Sequence, residues 1–325
     1  MSYKVKILPS NIEFNADLET TVLDAALKEN INIQYSCKNG DCETCLSEII
    51  TGSVIDKNGN SISSGKILTC STYPASDLSI ETNYFPELSD IKKILSPCKV
   101  EDITFPLENI AILKLRLPPS IDFRYLSGQY LNLKYQGHSR SYSIANSQKS
   151  STLIELHISK IENGDFSKLI FNSIEKEKLM SIEGPLGTFF MRSNTRQKIL
   201  IAGGVGYAPM KAMIESFFES EMDENIFLYW GVSNSKYFYS NEMKRWDLEH
   251  ENFNFIPVVS ESDNHWTGRT GMVHHAALED FKSLENSEFY ICGPPVMVES
   301  AKRDLLLHGA RETSIFYDSF LPSKS

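Results

Sequence analysis

Four of the six cysteines stand at Cys37, Cys42, Cys45 and Cys70, the first three within nine positions. Four thiolates so spaced can hold a two-iron, two-sulfur cluster. A short loop lets backbone N–H groups turn toward the sulfurs, and Gly40 supplies backbone freedom inside it. Structural zinc and plain core cysteines are the alternatives, although zinc usually takes paired C-x2-C knuckles and one short pair is present here. Cys98 has no such neighbours and reads as a packed thiol. Arg140-Ser141-Tyr142-Ser143 is a second constellation. An arginine can pair with a phosphate, and a tyrosine two residues along an extended strand lies on the same face, where its ring can cover another ring. A third is Gly203-Gly204-Val205-Gly206-Tyr207-Ala208-Pro209. Glycines at a strand-to-helix turn let a pyrophosphate approach the helix start, where free N–H groups and the dipole favour anions. Cys292-Gly293-Pro294-Pro295-Val296-Met297 follows another apolar run, and Phe316 to Phe320 is apolar enough for a last core strand. The histidines, at 138, 157, 250, 265, 274, 275 and 308, show no metal-ligand spacing and read as solvated or packing residues. Trp230, Trp246 and Trp266 read as core or interface aromatics.

These residues need elements to position them. Residues 3 to 14 alternate about a Pro9-Ser10-Asn11 turn, which predicts a hairpin. Thr21 is a candidate N-cap for a helix with Val22/Ala26 and Leu23/Leu27 on one face. A turn near Asn58-Gly59-Asn60 and a strand over 78 to 82 complete a β-rich unit with one helix, placed at 1–82. Residues 83–97 have no clear period and read as a linker or a strap. Beyond it Leu113/Leu115/Leu117, Leu131/Leu133/Tyr135 and Ile154/Leu156/Ile158 alternate with polar residues, predicting an antiparallel sheet or barrel over 98–194. From 195 to 325 the rhythm is βαβ. Lys198 to Ala202 runs into the glycine turn, a helix is expected from Pro209 to about Ser220, and strands are expected over 226–230, 255–259 and 288–291.

The chain has 325 residues, enough for two or three domains with their own cores. Its formal charge of −10 disfavours nucleic acid and anionic membrane as partners, since both are bound through Lys and Arg. The start, Met1-Ser2-Tyr3-Lys4-Val5-Lys6, carries charge where a secretory leader needs its apolar core, and no run reaches about 18 apolar residues. The expectation is a cytoplasmic, monomeric, soluble protein.

Taken in order, the motifs resemble a known superfamily. The cysteine spacing is that of plant-type ferredoxins. Arg140-Ser141-Tyr142-Ser143, Gly164-Asp165-Phe166-Ser167 and Gly184 to Phe189 resemble the flavin domain of the ferredoxin-NADP reductase superfamily, and Gly203 to Pro209 with Cys292 to Met297 resemble its nicotinamide domain. The resemblance implies a multidomain chain: a β-grasp ferredoxin-like α+β domain, an antiparallel β-barrel flavin domain and an α/β Rossmann-like nicotinamide domain. It implies a [2Fe-2S] cluster on Cys37, Cys42, Cys45 and Cys70. It implies FAD held by Arg140, Tyr142, Ser143, His157, Ser159, Gly164, Phe166, Ser167 and Phe320. NADH would be held by Gly203, Gly204, Gly206, Pro209, Cys292, Gly293 and Pro294. Ser143, Cys292 and Asp318 would line the hydride path. NADH is favoured over NADPH because Gly231 to Lys236 offers one basic residue, not the arginine-rich pocket expected around a 2'-phosphate.

Stretches outside the cofactor motifs, among them Ile7 to Phe14, Tyr84 to Leu88, Tyr229-Trp230-Gly231 and Gly271 to His275, resemble the CDP-6-deoxy-3,4-glucoseen reductase family. That implies electron flow from NADH through FAD and the cluster to a pyridoxamine-phosphate-dependent dehydrase of 3,6-dideoxyhexose synthesis. The rival reading is the reductase component of an oxygenase. Glu43 departs from many relatives, which carry Gly there. Its carboxylate is expected to make cluster reduction harder, and its Cβ to be tolerated provided the backbone is not at positive φ.

Overall fold

The alternation at the start of the chain folds into β1 (Ser2–Leu8) and β2 (Ile12–Asp17), paired antiparallel with Ile7 opposite Ile12. This is a computed structural model, describing residues 2–162, 164–220, 223–261 and 266–320. His265 and the last five residues lie outside the described residues. The chain divides into two units, Met1–Lys92 with Leu186–Thr188, and Lys93–Pro185 with Phe189–Ser325.

In the first unit α1 (Val22–Lys28) is opened by Thr21, whose hydroxyl accepts from the Asp24 N–H at 3.1 Å. Such a cap is worth about 1 kcal/mol. The helix buries Val22, Leu23, Ala25 and Ala26 against Val5, Ile7 and Phe14. There follow β3 (Leu46–Thr51), β4 (Val54–Asp56), β5 (Ser61–Ile62), β6 (Gly65–Leu68), β7 (Thr72–Pro74) and β8 (Leu78–Glu81). The main sheet has the order β2-β1-β8-β3-β6, with β1 and β8 parallel, and β5-β4-β7 form a small second sheet. A mixed sheet wrapped on one helix is the β-grasp arrangement. Of the segment between the expected domains, Ile33 bridges Tyr84, the Phe85 N–H donates to the Asn32 carbonyl, and residues 94–97 already belong to a strand.

The second unit opens with β9 (Ile94–Leu107), β10 (Ile110–Arg116), β11 (Tyr130–Tyr135), β12 (His138–Ser143), β13 (Ile154–Ser159), α2 (Asp165–Ser173) and β14 (Leu179–Leu186). Their order is β12-β11-β14-β9-β10-β13, and an Ile144–Leu156 bridge links its two edges, so the sheet closes on itself as a barrel. Leu113, Leu115, Leu131, Leu133, Leu156 and Ile158 are fully buried inside it.

The remaining elements are β15 (Gln197–Gly203), α3 (Tyr207–Phe218), β16 (Ile226–Val232), α4 (Glu242–Glu249), β17 (Phe253–Val259), β18 (Arg269–Thr270), α5 (Val273–Asp280), β19 (Ser287–Gly293), α6 (Pro295–Leu307) and β20 (Ile315–Ser319). All six strands are parallel, in the order β18-β17-β16-β15-β19-β20. Both faces are covered, which is why Ile199 to Ala202 is an unbroken apolar run. The strand order reverses between β15 and β19, and in such sheets the crevice outside the strand ends at that switch is where ligands bind. The register of these two strands is marked by the buried ion pair of Lys198 with Glu288 at 2.9 Å, where Tyr290 also donates its hydroxyl to Glu288.

Candidate functional site

The cysteine loop between α1 and β3 brings its sulfurs together in two pairs. Cys45 Sγ lies 3.2 Å from Cys70 Sγ, and the Cys37 N–H donates to Cys42 Sγ at 3.5 Å. Within each pair the shared hydrogen bond pushes one thiol down, Cys37 to about 5 and Cys45 to about 7, and its partner, Cys42 or Cys70, well up. The backbone N–H groups of Asn39, Asp41 and Cys42 turn toward the Cys37 sulfur and that of Gly40 toward Cys70. Thiolates ringed by N–H donors suit an anionic iron–sulfur cluster, so the residues present fit the group.

The loop reaches this form by left-handed turns at Lys38 (φ 60), Gly40 (φ 84) and Glu43 (φ 56). The condition set for Glu43 therefore fails: it stands at positive φ, with a strain of about 1–2 kcal/mol. Glu43→Gly is expected to raise stability by about 1 kcal/mol. It is also expected to raise the cluster potential, because a negative charge beside the thiolates is removed. Denaturant melts and a redox titration check both, and an unchanged or lower potential would contradict the electrostatic account. In the same unit Tyr35, two residues before Cys37, donates its N–H to Thr188 Oγ1 at 3.2 Å, and its hydroxyl accepts from the Gly187 N–H at 3.1 Å.

In the barrel, β12 carries Arg140, Tyr142 and Ser143. Arg140 is half-buried, donates to the Ser139 carbonyl at 2.7 Å and meets no carboxylate among the described residues. Tyr142 lies on the same side of the strand, its ring 6.1 Å from that of the buried Phe166, and burial pushes its hydroxyl pKa up. Ser143 Oγ is buried with no hydrogen-bond partner among the described residues. A buried hydroxyl left open costs roughly 1–3 kcal/mol, which a polar edge of a bound flavin would relieve. Gly164 caps α2, and Ser167 Oγ accepts from the Ile161 N–H at 2.9 Å, closing the turn beneath the first N–H groups of the helix. An unpaired guanidinium, an orphaned hydroxyl and an open helix start together fit a flavin with its pyrophosphate.

Two residues expected at the flavin have their side chains engaged within the protein. Phe166 is a core side chain underneath Tyr142, 1% exposed. His157 has both ring nitrogens committed within the protein, Nδ1 to the Tyr239 hydroxyl and Nε2 to Glu155, each at 2.9 Å. Residue spacing could not show this, because Tyr239 lies 82 positions away.

At the switch point the glycines are required by close approach. A Cβ on Gly206 would lie 2.2 Å from the Cys292 carbonyl oxygen, and one on Gly203 would lie 2.5 Å from Met297 Sδ. Gly204 has φ 53 with open space beside it. A 3-10 turn over 204–206 leads straight into α3, which starts at Tyr207, two residues earlier than expected. Pro209 sits in the first turn, where its missing N–H costs nothing. Cys292 is fully buried, and burial, then the charge of Asp318, pushes its thiol pKa well up. Register supplies that neighbour: Cys292 pairs with Asp318 on β20, and the Phe320 N–H donates to the Gly293 carbonyl at 3.0 Å. The structure thus gathers Gly203, Gly206, Cys292, Gly293, Asp318 and Phe320.

Sequence reasoning missed Trp230, whose indole N–H donates to the Gly204 carbonyl at 2.8 Å while its ring stacks on Tyr207 at 4.4 Å. It also missed the two hydrogen bonds from His274 and His275 to Asp304 Oδ2, at 3.1 and 3.2 Å, which tie α5 to α6. Beside the glycine turn lies a cavity of about 450 Å³. Asn109 and Ser159 of the barrel wall it on one side; Gly204, Ser233, Ser260, Met272 and Pro294 wall it on the other. Among the described residues no charged side chain lines it, so a 2'-phosphate would find no cation among them, whereas a ribose hydroxyl would meet serines.

Three family models match the chain: a 2Fe-2S iron-sulfur cluster binding domain over residues 5–75, an oxidoreductase FAD-binding domain over 97–191 and an oxidoreductase NAD-binding domain over 200–303. The chain is 44% identical to the CDP-6-deoxy-L-threo-D-glycero-4-hexulose-3-dehydrase reductase of Yersinia pseudotuberculosis, covering all of both chains. It is 44% identical to protein RfbI of Salmonella typhimurium, covering 100% of this chain and 98% of that protein. Reductase components of oxygenases match at 28–30%. Among solved structures, the Amycolatopsis cytochrome P450 reductase GcoB superposes with a TM-score of 0.79 at 22% identity, over 98% of this chain and 99% of that one.

Proposed function

Since this chain belongs to the family of CDP-6-deoxy-L-threo-D-glycero-4-hexulose-3-dehydrase reductases, we propose that it takes electrons from NADH and delivers them to a pyridoxamine-phosphate-dependent dehydrase of 3,6-dideoxyhexose synthesis. It is an oxidoreductase with [2Fe-2S], FAD and NAD-binding domains. The flavin, when bound, supplies the exchange between a two-electron hydride and the single electrons that an iron–sulfur cluster accepts.

The protein's own residues bind and orient. Gly203, Gly204 and Gly206 leave room for a pyrophosphate at the start of α3. Trp230 holds that turn through the Gly204 carbonyl. Arg140 offers an unopposed guanidinium, Tyr142 a ring backed by Phe166, and Ser143 a buried hydroxyl with no other use. Cys292, kept as a neutral thiol by burial and by Asp318, adds no charge where a nicotinamide meets a flavin. The cysteine quartet holds the cluster. We place the protein in the cytoplasm as a monomer; among the described residues no helix is long and apolar enough to cross a membrane.

The observation that carries this reading is the occurrence in one chain of a sulfur quartet ringed by N–H donors and a glycine turn pressed against a buried cysteine at a parallel-sheet switch point. The test is the anaerobic visible spectrum of the purified protein before and after NADH, followed by addition of the dehydrase with its sugar nucleotide. Flavin and cluster bands should bleach promptly and recover when the dehydrase turns over. A colourless protein, or bands that recover with an oxygenase and not with the dehydrase, would overturn it. With 42 acidic against 32 basic residues, the transfer rate to the dehydrase is expected to fall as salt rises. A rate flat in ionic strength would exclude electrostatic docking.

A further inference from the structure

A buried polar row runs from α3 to the wall of the nucleotide cavity. Lys211 Nζ lies 2.5 Å from Glu215 Oε1 and 3.2 Å from Glu155 Oε1, and Lys114 approaches the other Glu155 oxygen at 3.7 Å. The same Glu155 Oε1 meets His157 Nε2 at 2.9 Å, and His157 Nδ1 meets the Tyr239 hydroxyl at 2.9 Å. The side chains of His157 and Lys211 are 1% and 5% exposed. Tyr239 lines the cavity together with Ser159, two residues along β13 from His157.

The direction of each hydrogen bond follows from the ends of the row. Burial disfavours the charge on Glu155, but the hydrogen bond from His157 Nε2 and the Lys211 ammonium 3.2 Å away outweigh it and hold the carboxyl well below the usual carboxylate range. A carboxylate only accepts, so His157 Nε2 carries the hydrogen and, in the neutral ring, Nδ1 is left as an acceptor. Tyr239 must then donate its one hydrogen to Nδ1. What its oxygen keeps is lone pairs alone. Serines elsewhere in the cavity wall can turn to donate or accept, whereas Tyr239 is fixed as an acceptor by side chains behind it. Cys292 is also close enough to push the Tyr239 hydroxyl's pKa further up, which places Tyr239 toward the nicotinamide end of the site.

We propose that the Tyr239 oxygen accepts the carboxamide N–H of the nicotinamide, that His157 and Glu155 are positioning residues which fix it as an acceptor, and that this row selects a carboxamide over a group of the same shape lacking N–H. The inference rests on the reading of the cavity as the NADH site. It gives His157 a role toward the nicotinamide in place of a direct bond to the flavin.

The test is anaerobic rapid-mixing reduction of the flavin in the holoprotein by NADH and by its reduced 3-acetylpyridine analogue, which carries a methyl ketone where NADH has the amide. The wild type should half-saturate with NADH at a concentration roughly tenfold lower than with the analogue, the worth of one well-made hydrogen bond. Tyr239→Phe should raise the half-saturation for NADH by about that factor while leaving the analogue's in place, so that the ratio falls toward one. His157→Leu, which keeps the tyrosine and removes what orients it, should lower the same ratio. Thermal melts of both variants separate this from misfolding, because a packing role would shift melting and leave the ratio unchanged. A ratio that survives Tyr239→Phe overturns the proposal. A wild-type flavin that NADH does not bleach overturns instead the reading of the cavity on which it rests.

Discussion

Cys42→Ser should yield a protein whose flavin still bleaches under NADH but whose electrons no longer reach the dehydrase, a loss on the order of a hundredfold or more. The argument is chemical and local. Cys42 is half-buried in the loop and takes the Cys37 N–H on its sulfur, a bond that a serine hydroxyl can also accept. A hydroxyl is a harder, far less acidic ligand than a thiol and binds iron poorly at neutral pH. The FAD and NAD-binding models begin at residue 97, well after this loop, so hydride transfer has its binding groups intact. Absorbance of the purified variant reads the missing cluster, rapid mixing with NADH reads the flavin, and dehydrase turnover reads delivery. Undiminished delivery would show that electrons leave without the cluster; a flavin that NADH no longer reduces would show that the assigned order is wrong.

The second large effect is expected at the strand switch. Gly206→Ala puts a methyl group 2.2 Å from the Cys292 carbonyl oxygen and close to the Gly293 nitrogen. Both are backbone, so no side-chain rotation relieves the clash; either the turn lifts or β19 shifts, and both displace the N–H groups proposed to face a pyrophosphate. Flavin reduction by NADH should fall by roughly a hundredfold at fixed NADH, a misplacement effect of the size expected when binding groups move by about an ångström. The flavin itself should stay bound, because most of the residues proposed to hold it lie on β12 and at the start of α2. Titration of flavin reduction against NADH checks this. Wild-type kinetics would mean that the turn is softer than its contacts imply.

The sequence carried much of this. Period-two alternation sufficed for the barrel because each strand has one face in a closed core, as Leu113 and Leu115 do. The βαβ texture sufficed for the parallel sheet because both of its faces are covered. The cysteine spacing and the glycine turn were legible because their chemistry is local, each needing only residues a few positions apart. What was illegible is what register and tertiary approach create. Asp318, which only the resemblance pointed to, is placed opposite Cys292 by strand pairing across 26 positions, a register no local spacing shows. Tyr239 finds His157, and Trp230 finds Gly204, only once strands far apart in the chain are folded together. The positive φ of Glu43 was hidden for another reason: a side chain that tolerates strain leaves no mark in composition, whereas a glycine at the same place would have announced the turn.

The parallel sheet also has a history in time. Its middle strand, β15, is made before any of its neighbours; the sheet grows outward through β16, β17 and β18 and then returns to the other side for β19 and β20. The two halves of the crevice, the glycine turn after β15 and the cysteine at the end of β19, are thus separated by some 85 residues of synthesis. For a chain emerging from the ribosome, the sulfur loop can be finished early, but the dinucleotide crevice cannot exist until its far wall has been translated and docked.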